Sequence, residues 1–111
     1  MVKSDLSDPI ASAVLVLVRP NGERVAVTVK VGRPYVVGEL EARCPVAIEG
    51  LEPQYSDISG NDTLQALSLA MRFLRLRLDD QLAKGSRLIH LGDDGDDDDD
   101  DVDIGALFGE R

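Results

Sequence analysis

The side chains of this sequence that could do covalent chemistry are few: it has one cysteine, Cys44, and one histidine, His90. A thiol and an imidazole form a nucleophile and its base when they lie within hydrogen-bond reach. If the strands that carry Cys44 and His90 were neighbours, the two residues could act as the nucleophile and base of a small enzyme. The alternative is that Cys44 packs as a small hydrophobic group. One cysteine and one histidine cannot supply a four-ligand structural zinc site, and no phosphate-binding or dinucleotide-binding glycine motif is present. We therefore expect no enzyme and no cofactor.

A hydroxyl residue, Thr63, follows an acid at the start of a helical pattern. This setting is similar to that of the serine that carries the prosthetic arm in acyl-carrier domains. Carrier domains are helical bundles that use serine, whereas the first half of this chain alternates like strands. Helix capping explains the same residues, because Asp62 can accept from the first helical amides and Gln65, three residues later, can reach back. We predict a helix start capped by Asp62 and Gln65.

The net charge of −9 belongs to the C-terminal part of the chain, since residues 93–111 hold ten of the 21 acidic residues and one of the 12 basic ones. An EF-hand loop that began at Asp96 would need glycine where Asp101 stands and glutamate where Leu107 stands. Weak binding of a divalent cation remains open, and mimicry of a nucleic-acid backbone is a further alternative. The favoured interpretation is a solvated, disordered spacer. The candidate cation ligands are Asp96, Asp98 and Asp100.

The charge pattern divides the chain into three parts. Residues 1–92 are predicted to form one domain, residues 93–103 an acidic low-complexity spacer, and residues 104–111 a short apolar C-terminal segment. A purely solvating tail has no use for large apolar side chains, so this segment is expected to dock on the domain or to bind a partner. Its apolar residues are Ile104, Leu107 and Phe108.

Two β-branched runs flank a turn signal within residues 12–31. Asn21-Gly22 is the dipeptide of a two-residue type I′ hairpin turn, which would set Val16 opposite Val27. In that register, valines form one apolar face and Leu15 and Leu17 point to the other, polar face. Something must then cover the two leucines. The candidate partner-binding residues are Leu15, Leu17, Ile104, Leu107 and Phe108.

The remaining patterns complete an α+β fold. Residues 33–42 are interpreted as a connection, residues 43–50 as a strand in which Pro45 indicates an edge or a bulge, and residues 53–58 and 86–91 as further short strands. From residue 63 to residue 84 the apolar period changes to that of a helix, and Gly85 is typical of the residue after its end. We predict a small antiparallel sheet of three to five strands, with an N-terminal hairpin, packed against one long helix. The predicted apolar face of that helix is Leu64, Leu67, Met71, Leu74 and Leu78.

Composition favours a cytoplasmic protein. A single cysteine excludes an internal disulfide and suits a reducing compartment. The apolar run at residues 13–18 is short, and no segment approaches the ~20 apolar residues that span a bilayer. The folded part is close to neutral, which disfavours direct binding of nucleic acid.

Three stretches together resemble a family of small, uncharacterised bacterial proteins: "VGRP" at residues 31–34, "RCPVAIEGL" at 43–51 and "GNDTLQALSLA" at 60–70. The resemblance spans roughly residues 11–92 and implies a β-meander followed by one long helix. The family carries no established activity, so it implies no catalytic residues. This chain differs in having Thr63 where serine is common, and in its long aspartate run.

These observations lead to one functional expectation. The chain is expected to be a non-enzymatic protein-interaction module, of the kind found among inhibitors and immunity proteins. Its expected partner is another protein rather than nucleic acid or a membrane, and self-association is left open.

Overall fold

The computed structural model describes residue 6 and residues 8–51, 55–90 and 101–109. Within them the chain forms two antiparallel sheets and one long helix, which confirms the α+β class. A four-stranded sheet has the order β5-β2-β1-β7, and a three-stranded sheet has the order β3-β4-β6. The strands are β1 (Ala11–Val18), β2 (Arg24–Val31), β3 (Tyr35–Gly38), β4 (Glu41–Cys44), β5 (Val46–Glu49), β6 (Ile58–Gly60) and β7 (Arg87–His90); the helices are α1 (Thr63–Ala83) and α2 (Ile104–Leu107).

The turn between β1 and β2 has three residues and not the predicted two. The amide of Arg19 donates to the Glu23 carbonyl at 2.8 Å, and the amide of Gly22 donates to the Arg19 carbonyl at 2.8 Å. Gly22 has a φ of +88°, and among the described residues no residue other than glycine has a positive φ. This is a type I turn closed by a left-handed glycine. Pro20 accounts for it, because a proline fits the second position of a type I turn.

The longer turn shifts the pairing of β1 with β2 by one residue, so the predicted register was wrong. Val16 lies opposite Ala26 and not Val27, and Leu15 lies opposite Val27. A shift of one residue exchanges the two faces of a strand. Leu15 and Leu17 therefore point into the core, where they are 3% and 1% exposed.

A second sheet forms where a connection was predicted. Residues 35–44 make the antiparallel pair β3 and β4, with an irregular register near Gly38. Pro45 separates β4 in one sheet from β5 in the other, because a residue without an amide proton interrupts the ladder. The carbonyl of Pro45 accepts from the Gly32 amide at 2.9 Å. The strand predicted over residues 53–58 begins later, at Ile58, and residues 52–54 lie outside the described part of the chain.

The helix α1 begins and ends close to its predicted limits. Its N-cap is Asp62, whose carboxylate accepts from the Gln65 amide at 2.7 Å, while the Gln65 side chain accepts from the Asn61 amide at 2.7 Å. Gly85, with a φ of +98°, follows its C-terminus. The helix contacts strands of both sheets and closes the core between them.

The buried face of α1 agrees with the predicted one except at Leu64: Leu74 and Leu78 are in the core, and Leu67 and Met71 pack against it. Its fully buried residues are Ala66, Ala70, Leu74 and Leu78, and Leu64, predicted to be in the core, is 73% exposed. The backbone of α1 runs close to β6 at the start of the helix. A Cβ atom added at Gly60 would lie 2.5 Å from the backbone nitrogen of Ala66.

The C-terminal segment packs on the domain. Asp101 forms a bridge with Ile89 of β7, and the amide of Val102 donates to the Leu88 carbonyl at 2.8 Å. Val102 and Ile104 are buried in the core cluster, and Leu107 and Phe108 pack against it. Residues 101–103, predicted to belong to the spacer, thus lie against the fold.

Candidate functional site

Cys44 and His90 lie in different sheets, so the condition for a nucleophile and base pair is not met. Cys44 lies in β4 and is 0% exposed. Its thiol donates a hydrogen bond to the Gly32 carbonyl oxygen, with 3.4 Å between the sulfur and the oxygen. Burial, with a smaller contribution from Asp57, raises the pKa of the Cys44 thiol to about 11. The group is therefore a protonated thiol at neutral pH. His90 is exposed at the end of β7.

A row of polar side chains crosses the three-stranded sheet. Tyr35 lies opposite Arg43, and Arg43 lies opposite Ser59. The Tyr35 hydroxyl donates to Asp57, and the guanidinium of Arg43 is 3.0 Å from the carboxylate of Glu41. Burial and the hydrogen bond to Asp57 raise the pKa of Tyr35. The contact of Tyr35 with Asp57 joins β3 to the residue before β6, whereas Arg43 and Glu41 belong to the same strand, β4.

The candidate cation ligands Asp96, Asp98 and Asp100 lie outside the described residues, and the cation and mimicry hypotheses remain predictions. Across the described ranges, no group of three or more histidine, cysteine or acidic residues is placed to hold a metal ion. In the same part of the chain, no helix is long and apolar enough to cross a membrane.

The five candidate partner-binding residues divide into two groups. Leu15, Leu17 and Ile104 are buried in the core cluster and present no surface to a partner. Leu107 and Phe108 are half-buried and line a cavity of about 140 Å³ between α1, α2 and the first residues of β1. The C-terminal segment therefore docks on the body and also forms the wall of an opening.

The outward side of α1 carries apolar residues that the sequence analysis did not select. Leu69 is 37% exposed and Leu76 is 52% exposed. Leu76 also lines an open groove between α1 and α2, together with Met71 and Phe108. The signal that could have found these leucines is their spacing of seven residues, which puts them on one side of a helix. It was missed because the helix was given a single apolar face.

The fold defines the class of this protein as a small α+β domain. Residues 12–98 match the family described as "Domain of unknown function (DUF6968)". The match covers most of the chain, and the chain belongs to this family. No match was found among curated proteins, and none among solved structures.

Proposed function

We propose that this protein is a non-enzymatic protein-interaction module that meets its partner through the outward side of α1. The observation that carries the proposal is the exposure of Leu69 and Leu76 on that side. A surface helix of a small domain usually presents polar residues away from its core. Exposed apolar side chains that are grouped, rather than scattered, are typical of interaction sites.

The geometry of the helix supports the grouping. Seven residues advance about 10.5 Å along an α-helix and return to nearly the same side, so Leu69 and Leu76 form a stripe two turns long. Arg72 lies between them in sequence and also lines the groove with Met71 and Phe108. An apolar centre with a cationic residue beside it is a common composition for a binding surface.

The finer features of the proposal rest on the sequence. An inhibitor or immunity role is consistent with the small size and the concentration of negative charge in residues 93–111. A cytoplasmic location in a bacterium is consistent with the lone, buried thiol of Cys44 and with the short motifs described above. The inhibitor or immunity role and the cytoplasmic location are both parts of this proposal, and both would be tested by identifying the protein that binds to α1.

Quantitative capture from a lysate of the native host tests the proposal. The protein with Leu69→Ser and Leu76→Ser is compared with wild type and with a matched control, Leu40→Ser, whose leucine is 80% exposed in the turn between β3 and β4. We expect one protein to be captured by wild type and by the control, and to be depleted at least tenfold with the double variant. Equal capture by all three, with equal thermal stability, would contradict the role of α1.

A further inference from the structure

The turn between β1 and β2 places a side-chain carboxamide next to a glycine amide. Asn21 and Gly22 are both exposed, and Gly22 follows Asn21 directly. The backbone nitrogen after an asparagine can attack the side-chain carbonyl carbon and close a five-membered ring, and attack within one molecule is favoured by proximity. Glycine hinders the approach least because it has no Cβ atom. At Gly22, the space that a Cβ atom would occupy has no other atom within 4 Å.

The hydrogen bonds of the Asn21 side chain favour this reaction. Its Oδ1 atom accepts from the Glu23 amide at 2.9 Å. A donor therefore already faces the oxygen on which negative charge grows as the nitrogen adds to the carbon, and such a donor stabilises that charge. Within the described residues, the Asn21 side chain makes no other hydrogen bond. Its Nδ2 atom can therefore leave as ammonia without breaking a contact.

One hydrogen bond opposes the reaction. The Gly22 amide donates to the Arg19 carbonyl at 2.8 Å, and this bond holds the attacking nitrogen in the turn. The bond lies at an exposed chain reversal, where local opening costs much less free energy than unfolding of the core. The attack therefore requires the turn to open, but not the domain.

We propose that Asn21 is a site of spontaneous deamidation and isomerisation in the folded protein. The Gly22 nitrogen loses its proton to hydroxide and bonds to Cγ of Asn21; the bond from Cγ to Nδ2 breaks, and Nδ2 takes a proton from water and leaves as ammonia. Water then opens the resulting succinimide at either of its two carbonyl groups, which leaves aspartate or isoaspartate at residue 21. The net change is the exchange of an amide for a carboxylate at the expense of one water molecule, and no oxidant or cofactor takes part.

The isoaspartate product changes the turn in two ways. It adds a negative charge two residues before Glu23, and it inserts one methylene carbon into the main chain between residues 21 and 22. The lengthened loop no longer matches the two bonds that close the turn, from the Arg19 amide to Glu23 and from the Gly22 amide to Arg19. Leu15 and Leu17 are buried and hold the register of the strands, so we expect the disturbance to stay within the turn.

Peptide mapping of the full chain after incubation at pH 8 tests the proposal, with Asn61 as an internal control. The chain has two asparagines, Asn21 and Asn61, and both are exposed. The residue after Asn61 is Asp62, whose side chain hinders attack and which caps α1. We expect Asn21 to gain one dalton at least tenfold faster than Asn61, with isoaspartate in excess of aspartate, and the rate to rise with pH because the attacking nitrogen must lose a proton.

Amide exchange tests the effect on the turn. Asn21→Asp is the matched control, since it adds the charge without the extra main-chain carbon and keeps an oxygen that can accept from Glu23. In the purified isoaspartate form, we expect the Arg19 and Gly22 amides to exchange at least tenfold faster than in wild type. The amides of Leu15 and Leu17 should be unchanged in that form, and Asn21→Asp should exchange like wild type throughout.

Three outcomes would overturn the proposal: equal rates at Asn21 and Asn61, reaction at Asn21 only after unfolding in urea, or aspartate without isoaspartate. The last would mean that water attacks the side chain directly and that Gly22 takes no part. Exchange at Arg19 and Gly22 that is the same in the isoaspartate form and in wild type would overturn the effect on the turn. None of these outcomes bears on partner capture through Leu69 and Leu76.

Discussion

The contact between β6 and α1 makes Gly60 sensitive to an added methyl group. A Cβ atom there would lie 2.5 Å from the Ala66 nitrogen, 2.9 Å from its Cα and 3.0 Å from the carbonyl carbon of Gln65. All three are backbone atoms in the first turns of α1, so no side chain can rotate away. Ordinary contact begins at 3.4 Å, and the helix or the strand must move to restore it.

Two opposing effects set the magnitude for Gly60→Ala. Overpacking of this kind costs about 1–3 kcal/mol, while replacing glycine by alanine restricts the unfolded chain and returns about 0.4–1 kcal/mol. The obstruction is backbone, which places the cost towards the upper end. We expect a net loss of about 1–2 kcal/mol in the free energy of unfolding, with Tm falling by roughly 4–8 °C for each kcal/mol.

Urea unfolding with a matched control, Gly38→Ala, measures this loss. Gly38 also lies in a strand, but a Cβ atom added there would meet nothing within 4 Å. The control is expected to be unchanged or more stable by up to about 1 kcal/mol. If Gly60→Ala is as stable as Gly38→Ala, α1 does not pass over β6 at the distance described.

Three further predictions concern the cap, the turn and the buried thiol. Asp62→Ala should lower the free energy of unfolding by about 1 kcal/mol and Asp62→Asn by much less; equal losses in urea unfolding would contradict the capping role. Gly22→Val should lower the free energy of unfolding by about 1–2 kcal/mol, because Gly22 has a positive φ and an added side chain would meet no neighbouring atom that could explain the loss. Gly22→Asn should lower it less, and equal thermal stability of the two variants would contradict the assigned turn. Because the pKa of Cys44 is raised from 9.0 to about 11, its contribution to stability is present below pH 9 and is lost as the pH rises towards 11. Unfolding measured at pH 8 and pH 10.5 should show this additional loss in wild type and not in Cys44→Ala.

The hairpin shows how far local sequence patterns can determine a fold. Its two strands and the position of its turn follow from β-branched runs around Asn21-Gly22. The register does not, because Pro20 favours a type I turn and adds one residue to the loop. That single residue decides whether Leu15 and Leu17 are core or surface, and hence whether they are candidates for binding.

The helix α1 shows a second way in which prediction from the sequence falls short. Its two ends follow from Asp62 and Gly85, which act locally, but its buried face depends on how closely the sheets approach. A pattern that counts large apolar residues favours Leu64, whereas the helix buries the small residues Ala66 and Ala70. The exposed stripe of α1 has the same origin, since it depends on which neighbours the tertiary structure supplies.

Site-specific photo-crosslinking in the native host tests the interaction through α1 most directly. A photoreactive phenylalanine analogue is placed at Leu69, at Leu76 or, as a control, at Leu40, all of which are exposed. We predict an adduct of one defined mass from Leu69 and Leu76 that is absent with Leu40. The same adducts from all three positions, or no adduct from Leu69 and Leu76, would contradict binding of a partner through α1.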